Sequence, residues 1–434
     1  MNPQELATRL RAARETQGIS QSQAADVIGL PRTAITQIEG GNRAVSTLEL
    51  TKLAKLYRHS ISYFLDETPE VEEDVEKLLY RAAKPNIAKL QKFKKQIQHY
   101  INLCKEGIIL EKLLQFENRN GPPSYSQPMP KNKSDAVAQG SLVAEQERKR
   151  LGIGINPIGD LATLISNQGI WACSVDLPDD ISGLFLNNIK TGMVILVNAT
   201  HVKARKRFSY AHEYAHVLFD RDEGARISSA ENNLENIEVR ANAFAAAFLM
   251  PLDGVIEVLR TLNKGKSSRE DQVIFDVSAN SKLNVESRSV PFSQHITFQD
   301  IAIIAHNFGV SYHAAVYRLR SLNLISLPEC DKLIANYQEG KNFLGSIGML
   351  VDLDSKEEDA NQWDRELRRE LAYLAVEAYR REEISRGRVI ELGDEIGIGG
   401  KKLYDFALAA IDKNRNSNEL GGLCEVDKEK NVKC

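Results

Sequence analysis

The spacing of apolar and polar positions changes character several times along the chain. Over the first 66 residues it has the three-to-four rhythm of short helices. Leu6, Leu10 and Ala13 share one face behind Asn2, Pro3 and Glu5, which are an N-cap, a first-turn proline and a capping acid in the right order. Gly18 ends that helix. Ser20 and Gln23 form a second capping box, and Gly29 closes the helix it opens. A third helix is predicted from Arg32 to Ile38, stopping at Gly40 and Gly41. Ser46 and Glu49 cap a fourth with Leu50, Leu53, Ala54 and Tyr57 on one face. A short fifth carries Ile61, Phe64 and Leu65.

The pattern then becomes charged and helical over 69–117, with Val75, Leu78, Leu79, Ile87, Leu90, Ile97, Ile101, Ile109 and Leu113 as candidate buried positions. Pro85 interrupts any heptad, so a packing face is expected rather than a long coiled coil. Residues 118–134 are rich in proline, glycine, serine and asparagine and read as a flexible linker. Beyond Asp135, helices are predicted over 136–151 and 157–168 and strands at 170–175, 182–186 and 193–198. Two strong helices follow near 203–219 and 232–249, the second ended by Pro251. Residues 261–297 are a polar excursion, expected to be a surface loop. Helix–turn–helix-like patterning returns over 298–326, a helical region covers 327–415, and 416–434 reads as a disordered tail. The fold class expected is α+β, predominantly α. It comprises a five-helix domain over 1–68, a helical connector, a domain with a small β-sheet over 135–297 with its helical subdomain, and a C-terminal helical region.

Composition narrows the function classes. The 434 residues are 42% hydrophobic and 26% charged, which suits several globular domains. No uninterrupted apolar run approaches the roughly 20 residues that span a bilayer, and the N-terminus lacks a signal-peptide pattern, so a cytoplasmic protein without membrane contact is expected. The net charge of −3 leaves nucleic-acid affinity to a local patch. Five scattered cysteines without C-x-x-C spacing argue against a disulfide framework and a cysteine metal site.

The strongest chemical signal is His212-Glu213-Tyr214-Ala215-His216. On a helix, positions i and i+4 share a face, so both imidazoles can reach one ion with Glu213 beside them. Phe208, Ala211, Ala215 and Leu218 give that helix its apolar side. A hydrolytic site of this kind usually has three protein ligands. Glu238 is a candidate, with Asn242 one turn on to orient its carboxylate; Glu235 is its rival. Two imidazoles and a carboxylate favour zinc, with manganese as the other option.

The stretch RKRFSYAHEYAHVLFD, followed by EVRANAFAAAFLMP, resembles the ImmA/IrrE family of metallopeptidases. The lead-in from Ala136 to Asn198 is similar as well, so the resemblance covers about 135–325. It implies a zincin-like domain with one Zn2+ on His212, His216 and Glu238, with Glu213 as general base. It thereby favours Glu238 over Glu235. It also implies specific proteolysis of a repressor-type transcription factor or another partner, or of the chain itself, in a stress or mobile-element response. The long 261–297 segment departs from the family pattern. Self-cleavage would fall most easily in the 118–134 linker.

The stretch ISQSQAADVIGLPRTAITQIEGGNR resembles the lambda-repressor-like (XRE) helix-turn-helix family. The resemblance implies that Arg32, Thr33, Thr36 and Gln37 face base edges of a double-stranded operator, while Gln21, Asn42 and Arg43 touch phosphates. It also implies a homodimer on paired half-sites, in a bacterial or phage-encoded protein associated with the nucleoid when bound. Pro31 stands where the family has a capping Ser or Thr. For 298–326, packing is expected over DNA contact. The competing reading of the whole chain is a non-proteolytic regulator or antitoxin-like module with a structural or sensory metal; the general base Glu213 argues against it.

Overall fold

The computed structural model describes residues 3–57, 61–65, 93–116, 121–188, 192–229, 232, 234–265, 269–276, 278, 281–288, 290, 293–349 and 365–410. The chain divides into two compact units, Met1–Lys77 and Leu78–Cys434.

The first unit holds α1 (Pro3–Thr16), α2 (Gln21–Ile28), α3 (Arg32–Glu39), α4 (Thr47–Tyr57) and α5 (Ile61–Leu65). The local signals in the sequence act as expected. Ser20 and Gln23 exchange both bonds of a capping box, and Gly29 closes α2 at φ 73°. Ser46 and Glu49 exchange both as well. Pro31 precedes α3 without any side-chain cap. Leu10, Ala13, Ala25, Ile28, Ile35, Ile38, Leu50, Leu53, Tyr57 and Phe64 form the core. An ion pair of Arg14 Nε with Glu39 Oε1 at 2.6 Å ties α1 to α3. The predicted cap Asn2 and the apolar positions at 75–90 lie outside the described residues.

The second unit is built on a four-stranded sheet of order β1-β3-β2-β4, with β1 (Ile170–Val175), β2 (Ile181–Asn188), β3 (Gly192–Asn198) and β4 (Ala225–Ser229). β1 runs parallel to β3, whereas β2 is antiparallel to both β3 and β4. Every residue of β1 is buried, as expected of a strand covered on both faces. On one face lie α8 (Leu161–Ser166), α9 (Lys203–Phe219) and α10 (Asn236–Leu249), with α7 (Lys133–Arg150) against α10. Ile170, Ala172, Phe185, Ile195 and Val197 join the side chains of these helices in the main core.

The other face of β1 is covered by α6 (Lys94–Leu113) and α16 (Arg365–Arg380). Gly107 of α6 lies so close to the Trp171 ring that a Cβ there would stand 2.3 Å from it. Arg381 donates to Leu114 O at 3.1 Å, and Arg388 of α17 (Arg386–Glu395) pairs with Glu106 of α6. A last helix spans 400–410. The helical connector and the end of the C-terminal region, expected as separate pieces, therefore pack together on the sheet.

A second correction concerns 118–134. Residues 121–132 are not a flexible linker but an extended strap docked on the second unit. Tyr125 N donates to Leu218 O at 2.9 Å, and Tyr125 Oη donates to Glu147 at 2.9 Å. Arg221, Gln139 and Asn236 donate to the carbonyls of Pro122, Pro128 and Pro130. A proline lacks the N–H of a regular ladder but keeps its acceptor, so a proline-rich segment can be held by side chains that reach its carbonyls. The segment expected as a polar loop contains a regular antiparallel hairpin, β5 (Arg269–Asp276) with β6 (Ser281–Arg288).

Beyond α11 (Leu252–Thr261), α12 (Phe298–Phe308) and α13 (Tyr312–Ser321) form the expected helix–turn–helix, turning at Gly309 with φ 63°. Ala302, Ala305, Phe308, Val310, Ala315 and Leu319 are buried. α14 (Leu327–Ala335) and α15 (Tyr337–Ser346) pack on this pair. The expected tail, 416–434, lies outside the described residues. By length and composition alone, Asn236–Thr261 is apolar enough to cross a membrane, which the reading of uninterrupted runs missed; half of its most apolar window is buried. Pro251 splits it into α10 and α11, and the first turn of α10 carries the buried Glu238. Those features suit a core helix.

Candidate functional site

His212 and His216 stand one turn apart on α9, which has no proline or glycine inside it. Glu238 enters from the first turn of α10. All three are buried. His212 Nε2 lies 3.2 Å from His216 Nε2 and 3.0 Å from Glu238 Oε2, and His216 Nε2 lies 3.6 Å from Glu238 Oε1. Ligands held at about 2.0–2.1 Å around a tetrahedral zinc stand roughly 3.3 Å from one another. The two nitrogens and the carboxylate fit such an ion in both chemistry and separation.

The outer ring nitrogens are engaged in a way that aims the inner ones. His212 Nδ1 meets Asn242 Oδ1 at 2.9 Å, so Asn242 orients this ring rather than the Glu238 carboxylate expected for it. His216 Nδ1 meets Asp220 Oδ2 at 2.8 Å, and Arg240 binds the other Asp220 oxygen at 2.5 Å. Donation from each Nδ1–H leaves the Nε2 lone pair free to face an ion. Burial disfavours a charged His216, but Asp220 and Glu238 outweigh it and hold the imidazole pKa up at about 10. Burial likewise opposes charge on Glu238, yet the bonds with His212 and His216 keep its carboxyl well below the usual range.

Glu213 is different. It is 0% exposed, and neither carboxylate oxygen has a hydrogen-bond partner. Burial raises its pKa, opposed by the neighbouring His212 and His216 and by the nearby Ser228 hydroxyl, which does not form a well-aligned hydrogen bond with it. Space for it is made by Gly183 on β2, where a Cβ would stand 2.7 Å from Glu213 Oε1. A buried acceptor without a donor is costly unless water or a substrate group completes it.

Several residues of the site were not foreseen. Arg226 Nε donates to Glu238 Oε1 at 2.7 Å, and a second nitrogen donates to Glu235 at 3.0 Å. Glu235, the sequence's rival ligand, is the N-cap of α10 and points to Arg226 rather than into the cluster. Ser228 Oγ lies 3.1 Å from His212 Nε2. Both Arg226 and Ser228 belong to β4, too short and polar a strand to show in the pattern. Asp220 and Arg240 join from separate helical ends, a pairing no local spacing reveals.

In the first unit, Arg32, Thr33, Thr36 and Gln37 are exposed together on α3, while Ala34, Ile35 and Ile38 face the core. Gln21 is held by Glu39 at 2.9 Å and accepts from Thr36 Oγ1 at 3.3 Å. Asn42 is exposed, but Arg43 is engaged by Glu49 at 2.7 Å. Its charge is therefore already partly balanced, which the sequence reading missed.

A family model for helix-turn-helix domains matches residues 10–64, and one for the IrrE N-terminal-like domain, a peptidase family, matches 165–281. The chain joins a helix-turn-helix domain to an ImmA/IrrE-type domain. The second match spans β1 to β4, α9 and α10, and so holds the whole His212, His216 and Glu238 cluster. The α+β, mostly helical architecture and the pairing of the two families agree with the sequence. No curated protein matches the chain. Among solved structures, PlcR of Bacillus thuringiensis in complex with the peptide PapR7 and DNA aligns over 98% of this chain and 100% of its own. It does so at 14% identity and a TM-score of 0.15, too low to support any inference.

Proposed function

We propose that the chain is a DNA-binding transcriptional regulator with site-specific, zinc-dependent endopeptidase activity. The observation that carries this reading is the buried, unpartnered Glu213 carboxylate set beside the converging His212, His216 and Glu238. A purely structural metal centre has no use for a further, uncompensated acid beside its three ligands.

His212, His216 and Glu238 hold the ion, with Asn242 and Asp220 fixing the two rings. Zinc, when bound there, supplies a Lewis acid that polarises the scissile carbonyl and acidifies water. Glu213 takes the proton from the attacking water and returns it to the departing amine nitrogen. Its burial raises its basicity, which suits both transfers. Gly183 keeps the carboxylate within reach, because any side chain there would displace it.

The α3 face, with Arg32, Thr33, Thr36 and Gln37, reads base edges of a double-stranded operator, and Gln21, Asn42 and Arg43 approach phosphates. Binding as a homodimer in the cytoplasm follows from that role. The substrate is a repressor or partner protein in a stress or mobile-element response. Self-cleavage inside the strap loses support, since its carbonyls are already engaged. The test compares new protein N-termini in cells expressing wild type or Glu213→Gln, with and without DNA damage or oxidative stress. Termini confined to the wild type would identify the protease and its substrate. Identical termini under every stress would overturn the proteolytic reading.

A further inference from the structure

The edge strand β4 contributes more to the metal cluster than its five residues suggest. Its register against β2 pairs Arg226 with Phe185 and Ser228 with Gly183. Positions two apart on a strand share a face, so Arg226 and Ser228 both turn to the site. The Arg226 side chain is 13% exposed and the Glu238 side chain 2%. Two nitrogens of the guanidinium take separate acids: Nε holds Glu238 Oε1 at 2.7 Å, and another holds the 58%-exposed Glu235 at 3.0 Å. Glu238 Oε2, by contrast, faces His212 Nε2 at 3.0 Å.

We propose that Arg226 is a positioning residue that makes Glu238 a one-oxygen ligand, an inference that rests on the metal-centre reading above. A carboxylate with both oxygens free can bind a divalent ion through either or both. Here one oxygen is committed to a rigid, planar donor on a hydrogen-bonded strand. Oε1 also lies 3.6 Å from His216 Nε2, but it already accepts from Arg226, so Oε2 is the oxygen with no competing guanidinium to complete the set with the two imidazoles. Using one oxygen instead of two preserves an open position on the ion for water and substrate, which catalytic sites require. Glu235 holds the far side of the guanidinium and helps keep Arg226 beside Glu238.

The test uses the full-length chain loaded with zinc or cobalt. Arg226→Met keeps the bulk of the stem and removes the donors. Zinc affinity, read by competition with a chromophoric chelator, should fall roughly 10- to 100-fold. The visible absorption of the cobalt form should weaken, because the freed carboxylate adds its second oxygen and raises the coordination number. A wild-type cobalt spectrum in Arg226→Met would overturn the proposal, whatever the affinity. X-ray absorption of the zinc-loaded wild type provides a reading independent of any variant's folding. A single carboxylate oxygen is expected there, and a chelating carboxylate would overturn the proposal outright. A wild type that takes up no zinc would instead overturn the metal-centre reading on which this one rests.

Discussion

The α3 face and the metal cluster are opposite solutions to recognition. On α3 the four candidate reading side chains are exposed, and among the described residues only that of Thr36 makes hydrogen bonds, to Gln21 and to the backbone. In the cluster each metal-facing residue is buried and bonded to a neighbour: His212 to Asn242, His216 to Asp220, Glu238 to Arg226. Glu213 is the exception. Long exposed side chains can adapt to a groove and pay their ordering entropy on binding, whereas a hydrolytic centre must be held in place before substrate arrives. The contrast teaches where substitutions should be felt: sharply and locally in the cluster, gradually on α3.

The largest effect is expected at the exception. Glu213→Gln should lower cleavage of a purified substrate by about 10²- to 10⁴-fold while metal content per chain is unchanged. Equal loss of metal would show that Glu213 serves the cluster rather than the reaction. On the adaptable side, Arg32→Ala combined with Gln37→Ala should weaken operator binding by about 1–3 kcal/mol per lost base contact and leave cleavage intact. Unchanged mobility shifts would move α3 from DNA to protein recognition. Gly183→Ala probes the rigid side without touching a ligand. The added methyl should destabilise the fold by about 1–3 kcal/mol, read as a lower Tm, and depress cleavage. A variant as stable and active as wild type would mean that the site is looser than its geometry.

The smallest effect on cleavage separates burial for function from burial alone. Glu395, on α17, is raised to about 7 by burial and by Glu106 and Glu391, with Arg388 opposing. Its folded pKa lies above the unfolded value, so its favourable contribution is complete below pH ~4.3 and is lost as pH rises through about 7. Glu395→Gln should therefore raise stability by up to about 3 kcal/mol at pH 8 and by nothing near pH 4, without altering cleavage. Denaturant titrations at both values decide it, and a pH-independent gain would refute the assignment.

Local chemistry was legible in the sequence. The capping boxes at Ser20 and Ser46, the turns at Gly29 and Gly309 and the i, i+4 histidines are each written within five residues. Glu238, 22 residues past His216, needed the family resemblance to be preferred over Glu235. Arg226, Ser228, Asp220 and Arg240 were missed because their roles arise from tertiary approach. β4 is too short and polar to show the alternation that marked β1 to β3. The strap misled for a related reason. Proline-rich composition reports the lack of a regular ladder, but it does not report whether side chains elsewhere reach the carbonyls.

Two fastenings hold the segments that precede the His212, His216 and Glu238 cluster within the second unit. The strap is bonded to the last turn of the histidine-bearing helix through Leu218 O, and α6, just upstream, is clasped to the C-terminal helices by Arg381 and Arg388. A nick in the strap would therefore leave α6 gripped by non-covalent contacts. Release of α6 after a cut in the strap must loosen the clasp as well, so it behaves as a two-key lock in which neither act alone suffices.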